Sequence, residues 1–149
     1  MRLLDLSRIA YFIKEYSEDV VDGRSVAQTL GEDPDCVFKT LVTKNQATKY
    51  IVFCVPVTAE LDLKKAAKVS GSKSIEMIHQ KELLPLTGYI HGGCSPIGMK
   101  KRFTTFMDES ALLYNHIYVS GGRRGLQIQI NPNDLASLLN IQFVDLTSF

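Results

Sequence analysis

Val37-Phe38-Lys39-Thr40-Leu41-Val42-Thr43, a polar segment over residues 44–49, then Tyr50-Ile51-Val52-Phe53-Cys54-Val55-Pro56-Val57: the reading of this stretch decides the fold class. Both runs are dense in β-branched and aromatic residues, and the turn signal Asp33-Pro34-Asp35 precedes the first, so the two are expected as consecutive strands of a hairpin. In an extended chain Val37, Lys39 and Leu41 share one face, while Phe38, Thr40 and Val42 share the other. An ammonium is thereby set among apolar neighbours, where partial desolvation strengthens its pull on a carbonyl, carboxylate or phosphate oxygen. A lysine snorkelling at a strand edge is the plainer reading, and composition alone favours it.

Outward from the hairpin, short strands alternate with short helices. Towards the N-terminus, residues 9–16 read as a strand, 17–24 as a polar loop, and Ser25 as the cap of a helix that runs to Leu30 and ends at Gly31. Towards the C-terminus, residues 58–69 carry a rough helical stripe, 74–78 a short strand, and 79–84 a helix halted by Pro85. Beyond a glycine-rich loop come a strand over 103–106, a helix-like piece, a strand over 115–119, a turn over 120–125 and a period-two strand over 126–130. A helix from Asn131 through Leu139 and a strand over 141–144 close the chain. Strands dominate, and helices lie between some of them. That order predicts an α+β domain with a mixed, curved or partly closed sheet rather than a doubly wound one. No repeat or linker interrupts residues 1–149, which are expected to form one domain.

Composition narrows the functional classes. Lys and Arg total 17 against 16 Asp and Glu, so no global field draws the chain to nucleic acid or an anionic membrane, and any RNA contact must be local. No run approaches the ~20 apolar residues of a membrane span, and the first residues lack a secretory pattern. A cytoplasmic protein is expected. Cys36, Cys54 and Cys94 are odd in number and widely spaced, which points to reduced thiols rather than a disulfide framework or a zinc ribbon.

Several features could carry chemistry. The loop Gly92-Gly93-Cys94-Ser95-Pro96-Ile97-Gly98 can bring backbone close to a ligand, although a plain tight turn accounts for it equally well. Gly93 and Gly98 have P-loop spacing, but Met99 stands at the lysine position, Lys100 at the Ser/Thr position, and Pro96 removes a cradling N–H. Cys94 with His91 or His116 as a nucleophile and base, or His91 and Cys94 as half of a metal site, lacks any second signal. His79 and His116 read as structural or surface residues, and no G-x-S-x-G elbow occurs. Lys100, Lys101, Arg102, Arg123 and Arg124 sit beside glycine turns as phosphate-gripping candidates, with solvated surface charge as the ordinary alternative. They gain weight only if both clusters flank one pocket.

Three ordered motifs now stand together: Val37 to Val42; Gly88-Tyr89-Ile90-His91-Gly92-Gly93-Cys94-Ser95-Pro96-Ile97-Gly98-Met99-Lys100-Lys101; and Val119-Ser120-Gly121-Gly122-Arg123-Arg124-Gly125-Leu126. Over nearly the whole chain they resemble the YbaK/EbsC family of free-standing aminoacyl-tRNA deacylases, related to the editing domain inserted in many bacterial prolyl-tRNA synthetases. The resemblance implies a mixed β-barrel-like fold with surrounding helices, and a pocket between the lysine strand, the G-x-x-x-P loop and the turn before Leu126. By that match Lys39 is the catalytic or substrate-orienting lysine, and Gly92 and Pro96 end the signature, with a backbone group of Gly92 touching the reacting ester. Tyr16, Thr40 and Ser120 fall where the family places further pocket residues, and Gly93, Cys94 and Ser95 lie between the signature ends. Gln127 departs from the pattern: many members read Gly-Leu-Asp-Ile where this chain has Gly125-Leu126-Gln127-Ile128. A neutral amide there donates and accepts hydrogen bonds but does not offset the lysine's charge.

The Gly-Gly-Cys-Ser-Pro form of the loop most resembles members acting on Cys-tRNA(Pro). Family behaviour there implies substrate-assisted cleavage, in which the cysteine thiol attacks its own ester and Cys94 need not react. Hydrolysis of Ala-tRNA(Pro) is the alternative within the same class, and a non-catalytic tRNA-binding or regulatory module the alternative outside it. The resemblance implies the 3′ aminoacyl end of mischarged tRNA as partner and prolyl-tRNA synthetase as a candidate second one; the sequence leaves the oligomeric state open, with a monomer favoured, and neither metal nor cofactor is expected.

Overall fold

The computed structural model describes residues 2–148, with Arg2 and Leu6 described by their backbone alone; Met1 and Phe149, the ends of the expected domain, lie outside the described residues. The elements in order are α1 (Arg2–Leu6), β1 (Tyr11–Glu15), α2 (Gly23–Leu30), β2 (Phe38–Asn45), β3 (Tyr50–Pro56), α3 (Leu63–Val69), β4 (Ile75–Met77), α4 (Gln80–Thr87), β5 (Thr104–Asp108), β6 (Ile117–Ser120), β7 (Leu126–Ile130), α5 (Pro132–Leu139) and β8 (Gln142–Val144). Short 3-10 helices occupy Pro34–Cys36 and Glu109–Leu113.

β2 and β3 form the expected hairpin, antiparallel from Phe38 opposite Pro56 to Lys44 opposite Tyr50. It anchors a five-stranded mixed sheet of order β4-β2-β3-β5-β8, in which β3, β5 and β8 run parallel. The remaining strands make an antiparallel sheet of order β1-β7-β6. A parallel bridge between Val37 and Tyr118 ties the chain just before β2 to β6. The sheets curl towards each other there without closing a barrel, so the α+β, partly closed architecture is the one observed.

Side-chain alternation sorts the core into layers. Phe38 and Val42 of β2 and Val52 and Cys54 of β3 face the space between the sheets, where they meet Ile117, Val119, Ile128 and Ile130. Ile51, Phe53 and Val55 face the other way, onto Ala66 and Ala67 of α3, with Phe53 stacked on Phe106 at a centroid distance of 5.6 Å. β3 is therefore buried on both faces, which is why its sequence is a continuous apolar run rather than an alternating one.

Differences from expectation lie mainly at element ends. α2 begins before Ser25 because Asp22 is its cap: the Asp22 carboxylate accepts from Ser25 N at 3.1 Å and Ser25 Oγ at 2.8 Å. α3 starts only at Leu63, capped by Asp62, since Leu61 is drawn into a bridge with Thr147. α4 continues through Pro85 to Thr87. Pro85 and Lys81 are both exposed, so the carbonyl that the ring deprives of its helical donor can turn to solvent. α1 had no counterpart in the sequence reading.

Candidate active site at the open edge of β2

β2 has β3 along one edge throughout, but β4 covers its other edge only at Thr43, Lys44 and Asn45. Val57 N donates to Val37 O at 2.8 Å and Asn45 N to Lys49 O at 2.9 Å, so the odd-numbered residues of β2 bond towards β3. Antiparallel alternation then turns the backbone groups of Thr40, and the carbonyl of Phe38, towards the uncovered edge. A cavity of about 670 Å³ opens there, lined by Lys39, Thr40, Gly92, Cys94, Ser120 and Gln127 from the predicted site, and by Val21, Arg24, Val57, Glu60, Leu83 and His91 among others. The volume falls in the ~300–1,000 Å³ range of small-ligand sites.

Lys39 lies on the α3 side of the sheet, beside Leu41 and opposite Val55. Its side chain is 29% exposed, and Nζ stands 3.7 Å from a carboxylate oxygen of the exposed Glu60. This carboxylate reaches Lys39 from the β3–α3 connection. Thr40, on the opposite face, has its hydroxyl 3.8 Å from Cys54 Sγ.

Gln127 lines the cavity from the β1-β7-β6 sheet. It is 6% exposed, pairs in register with Ser120 and Lys14, and its Nε2 donates to the Tyr16 hydroxyl at 3.4 Å. Its Oε1 is buried with no hydrogen-bond partner among the described residues. Such an acceptor costs about 1–3 kcal/mol while unpaired, and a ligand N–H, O–H or S–H placed there recovers it.

The thiols are not poised to attack. Burial pushes the Cys94 thiol up to about 12, and Cys54 likewise to about 12, so neither is a thiolate near neutral pH. Asp22 lines the cavity but is committed elsewhere: its bonds from the Ser25 hydroxyl and amide cap α2 and hold its carboxyl below the ordinary carboxylate range.

The remaining expected residues are placed differently. Ser95 is fully buried with its Oγ turned back to accept from Ile97 N at 3.1 Å, so it shapes the loop and does not line the cavity. Gly93 is buried against the backbone of Arg123 and Arg124. Pro96 lines a second cavity of about 430 Å³ with Lys101, Arg102, Leu138 and Leu139. The two basic clusters thus do not flank one pocket. Arg123 reaches Glu15 at 3.6 Å and the Arg124 carbonyl at 3.2 Å, and Arg124 Nε donates to the His91 carbonyl at 2.9 Å. Of the lining residues absent from the sequence reading, only Val21 left a signal, since Val20-Val21 is an apolar pair in an otherwise polar segment. Arg24 and Glu60 left none.

A family model described as the aminoacyl-tRNA editing domain matches residues 17–138, a span that takes in β2, the Gly92 loop and β7. The chain is 48% identical over 152 residues to an Enterococcus faecalis protein provisionally named Cys-tRNA(Pro)/Cys-tRNA(Cys) deacylase EbsC, covering 99% of this chain and 92% of that one. A crystal structure provisionally described as a trans-editing enzyme for prolyl-tRNA synthetase superposes with a TM-score of 0.85 at 25% identity, over 93% of this chain and 87% of that one. A hypothetical protein superposes at 0.91 and 18% identity, over 99% and 97% of the two chains, and speaks for the fold alone. With sequence, fold and pocket in agreement, the chain belongs to the aminoacyl-tRNA editing domain family.

Proposed function

We propose that this protein removes a wrongly attached amino acid from tRNA, and that cysteine on proline tRNA is its main substrate. The observation that carries the reading is the pocket's chemistry: one held lysine, backbone donors and acceptors at an unfinished strand edge, and a buried orphan acceptor at Gln127, with no activated side-chain nucleophile beside them. A site so equipped orients and polarises an ester that carries its own nucleophile. In the proposed step the cysteine thiol attacks its own ester carbonyl, a C–S bond forms, the C–O bond to ribose breaks, and the thiol proton passes to the leaving ribose oxygen. The products are a cyclic thiolactone and free tRNA. Proximity is the main catalytic term. Stabilisation by the Lys39 ammonium of the charge that develops on the ester is the second.

Prolyl-tRNA synthetase, as a source of the mischarged species, is the proposed companion, and the chain is proposed to work as a monomer in the cytoplasm, where charged tRNA is found. The test is a deacylation panel of Cys-, Ala- and Ser-tRNA(Pro) with wild type and Lys39→Ala. Rapid loss of cysteine alone, abolished by the substitution, is the expected result. Comparable release of alanine, which has no thiol to cyclise, would replace the mechanism by water-mediated hydrolysis. Tight tRNA binding without release of any amino acid would make the chain a binding module.

A further inference from the structure

We infer that Arg124 is a positioning residue that fixes the peptide plane between His91 and Gly92, and not a contact for tRNA phosphate. The inference rests on the deacylase reading for its kinetic consequence, but its geometry stands by itself. Arg124 is half-buried, and its Nε–H donates to the His91 carbonyl at 2.9 Å. A trans peptide is a rigid plane in which the carbonyl and the following N–H point in opposite directions. Holding the His91 carbonyl towards the 121–125 turn therefore aims the Gly92 N–H away from that turn. Gly92 lines the cavity, and none of the described hydrogen bonds uses its N–H.

Packing locks the same plane from the other sides. Gly92 has φ +85°, and a Cβ placed on it would lie 2.6 Å from Val21 Cγ1 and 3.2 Å from Arg124 Nε. A Cβ on Gly93 would lie 3.0 Å from Arg123 Cα and 3.1 Å from Arg124 N, so loop and turn meet backbone to backbone. The turn that carries Arg124 is itself anchored, by Tyr16 N donating to Gly125 O at 2.9 Å and Gly121 N to Leu126 O at 2.8 Å. Tyr89 ties the far end of the loop, its hydroxyl donating to Ile97 O and its ring lying against Gly122. A guanidinium whose Nε is engaged in this way is oriented by the backbone of the Gly92 loop, whereas Lys101 and Arg102 stand exposed beside the other cavity, where Arg102 donates to the Leu138 carbonyl at 3.2 Å.

The experiment measures kcat and KM for Cys-tRNA(Pro) deacylation by wild type, Arg124→Ala and Arg124→Lys across a range of NaCl concentrations. It also follows the amide resonances of Gly92 and Gly93 by NMR. Positioning predicts a fall in kcat of about 10-fold or more in both variants, a fraction of what losing an oxyanion donor outright costs. KM and its salt slope stay unchanged, and the Gly92 amide shifts while strand amides do not. Lysine keeps the charge but has no Nε–H in a planar fork, so it should not restore kcat. A raised KM with a salt slope shallower by about one, at unchanged kcat, is the signature of a phosphate contact and overturns the inference. Unchanged kinetics and an unshifted Gly92 amide overturn it as well. If the wild type releases no amino acid from any charged tRNA, the deacylase reading fails, and the amide shift alone decides whether Arg124 sets the plane. Should Arg124→Ala not fold, Arg124→Lys carries the same comparison.

Discussion

Lys39 and Lys44 lie on the same strand with similar exposure, 29% and 23% of the side chain, yet the fold treats them differently. Lys44 sits where β2 has a strand on each side, and two carboxylates, Glu76 at 4.0 Å and Glu82 at 3.8 Å, surround its ammonium. Lys39 sits where the second edge is uncovered, with the exposed Glu60 as its one ion-pair partner among the described residues and a cavity in front of it. In the paired half the charge is answered within the fold. In the open half the strand's hydrogen-bonding groups and most of the ammonium's donors are left for a ligand.

The comparison breaks most sharply under alanine substitution. Lys39→Ala is expected to lower kcat for deacylation by about 100-fold or more, the scale of removing a charge aimed at a transition state. Lys44→Ala should change the rate by less than about twofold and stability by about 1 kcal/mol or less, since its pairs at 3.8–4.0 Å are long and still in reach of solvent. Kinetics with thermal melts on both variants check this. Equal losses in kcat would mean that the open edge is not what distinguishes them.

Thr43 tests the paired half from the other side. It is fully buried, and its Oγ1 donates to Ile51 O at 2.8 Å. Thr43→Ala removes that bond and leaves a small void, so unfolding in urea should show a loss of about 1–3 kcal/mol. The kcat of the folded variant should be retained. A large kcat loss at intact stability would extend the site into the paired half.

How much of this was legible in the sequence follows from which forces are local. The β2–β3 hairpin was, because two β-rich runs flank a polar gap and sequence neighbours pair. The parallel addition of β5 and β8 to β3, and with it the uncovered edge of β2, was not, since those pairings join segments dozens of residues apart and leave no local mark. Lys39, Gly92 and Gln127 were found through three motifs in a fixed order, not through their own surroundings. Arg124 was visible as a charge, but its direction was invisible, and direction is what separates a tether on His91 from a grip on phosphate. Glu60 belongs to a polar connection of ordinary composition and becomes a neighbour of Lys39 only in three dimensions.

The open half also gathers thiols, since Cys54 stands opposite Thr40 and Cys94 lines the cavity. Burial raises both from 9.0 to about 12, and Cys36 to about 11. The sign is fixed by proton binding: above pH 9 the unfolded chain releases thiol protons that the native chain still holds, so their contribution is complete below pH 9 and is lost as pH rises towards 12. Melting temperature should fall over that window, and Cys54→Ala should flatten the fall. A melting temperature constant across the window would show that these thiols are less buried than the core places them.

The smallest expected effect sharpens the comparison at its centre. Glu60 is 92% exposed, so its attraction for Lys39 is strongly screened, and Glu60→Gln should leave both fold and kcat in place. What changes is competition: with the carboxylate gone, Lys39 and the polyanionic substrate no longer share the ammonium with a protein charge. KM for charged tRNA should fall about twofold at low salt and converge with wild type near 0.15 M, where the Debye length has shrunk to about 8 Å. Steady-state kinetics at two salt concentrations read this directly. A fall in kcat of about 100-fold or more, on the scale of general acid–base catalysis, would instead place Glu60 in the reacting machinery. The open half of β2 would then carry an ion pair that acts as a unit, rather than a lysine left free for its ligand.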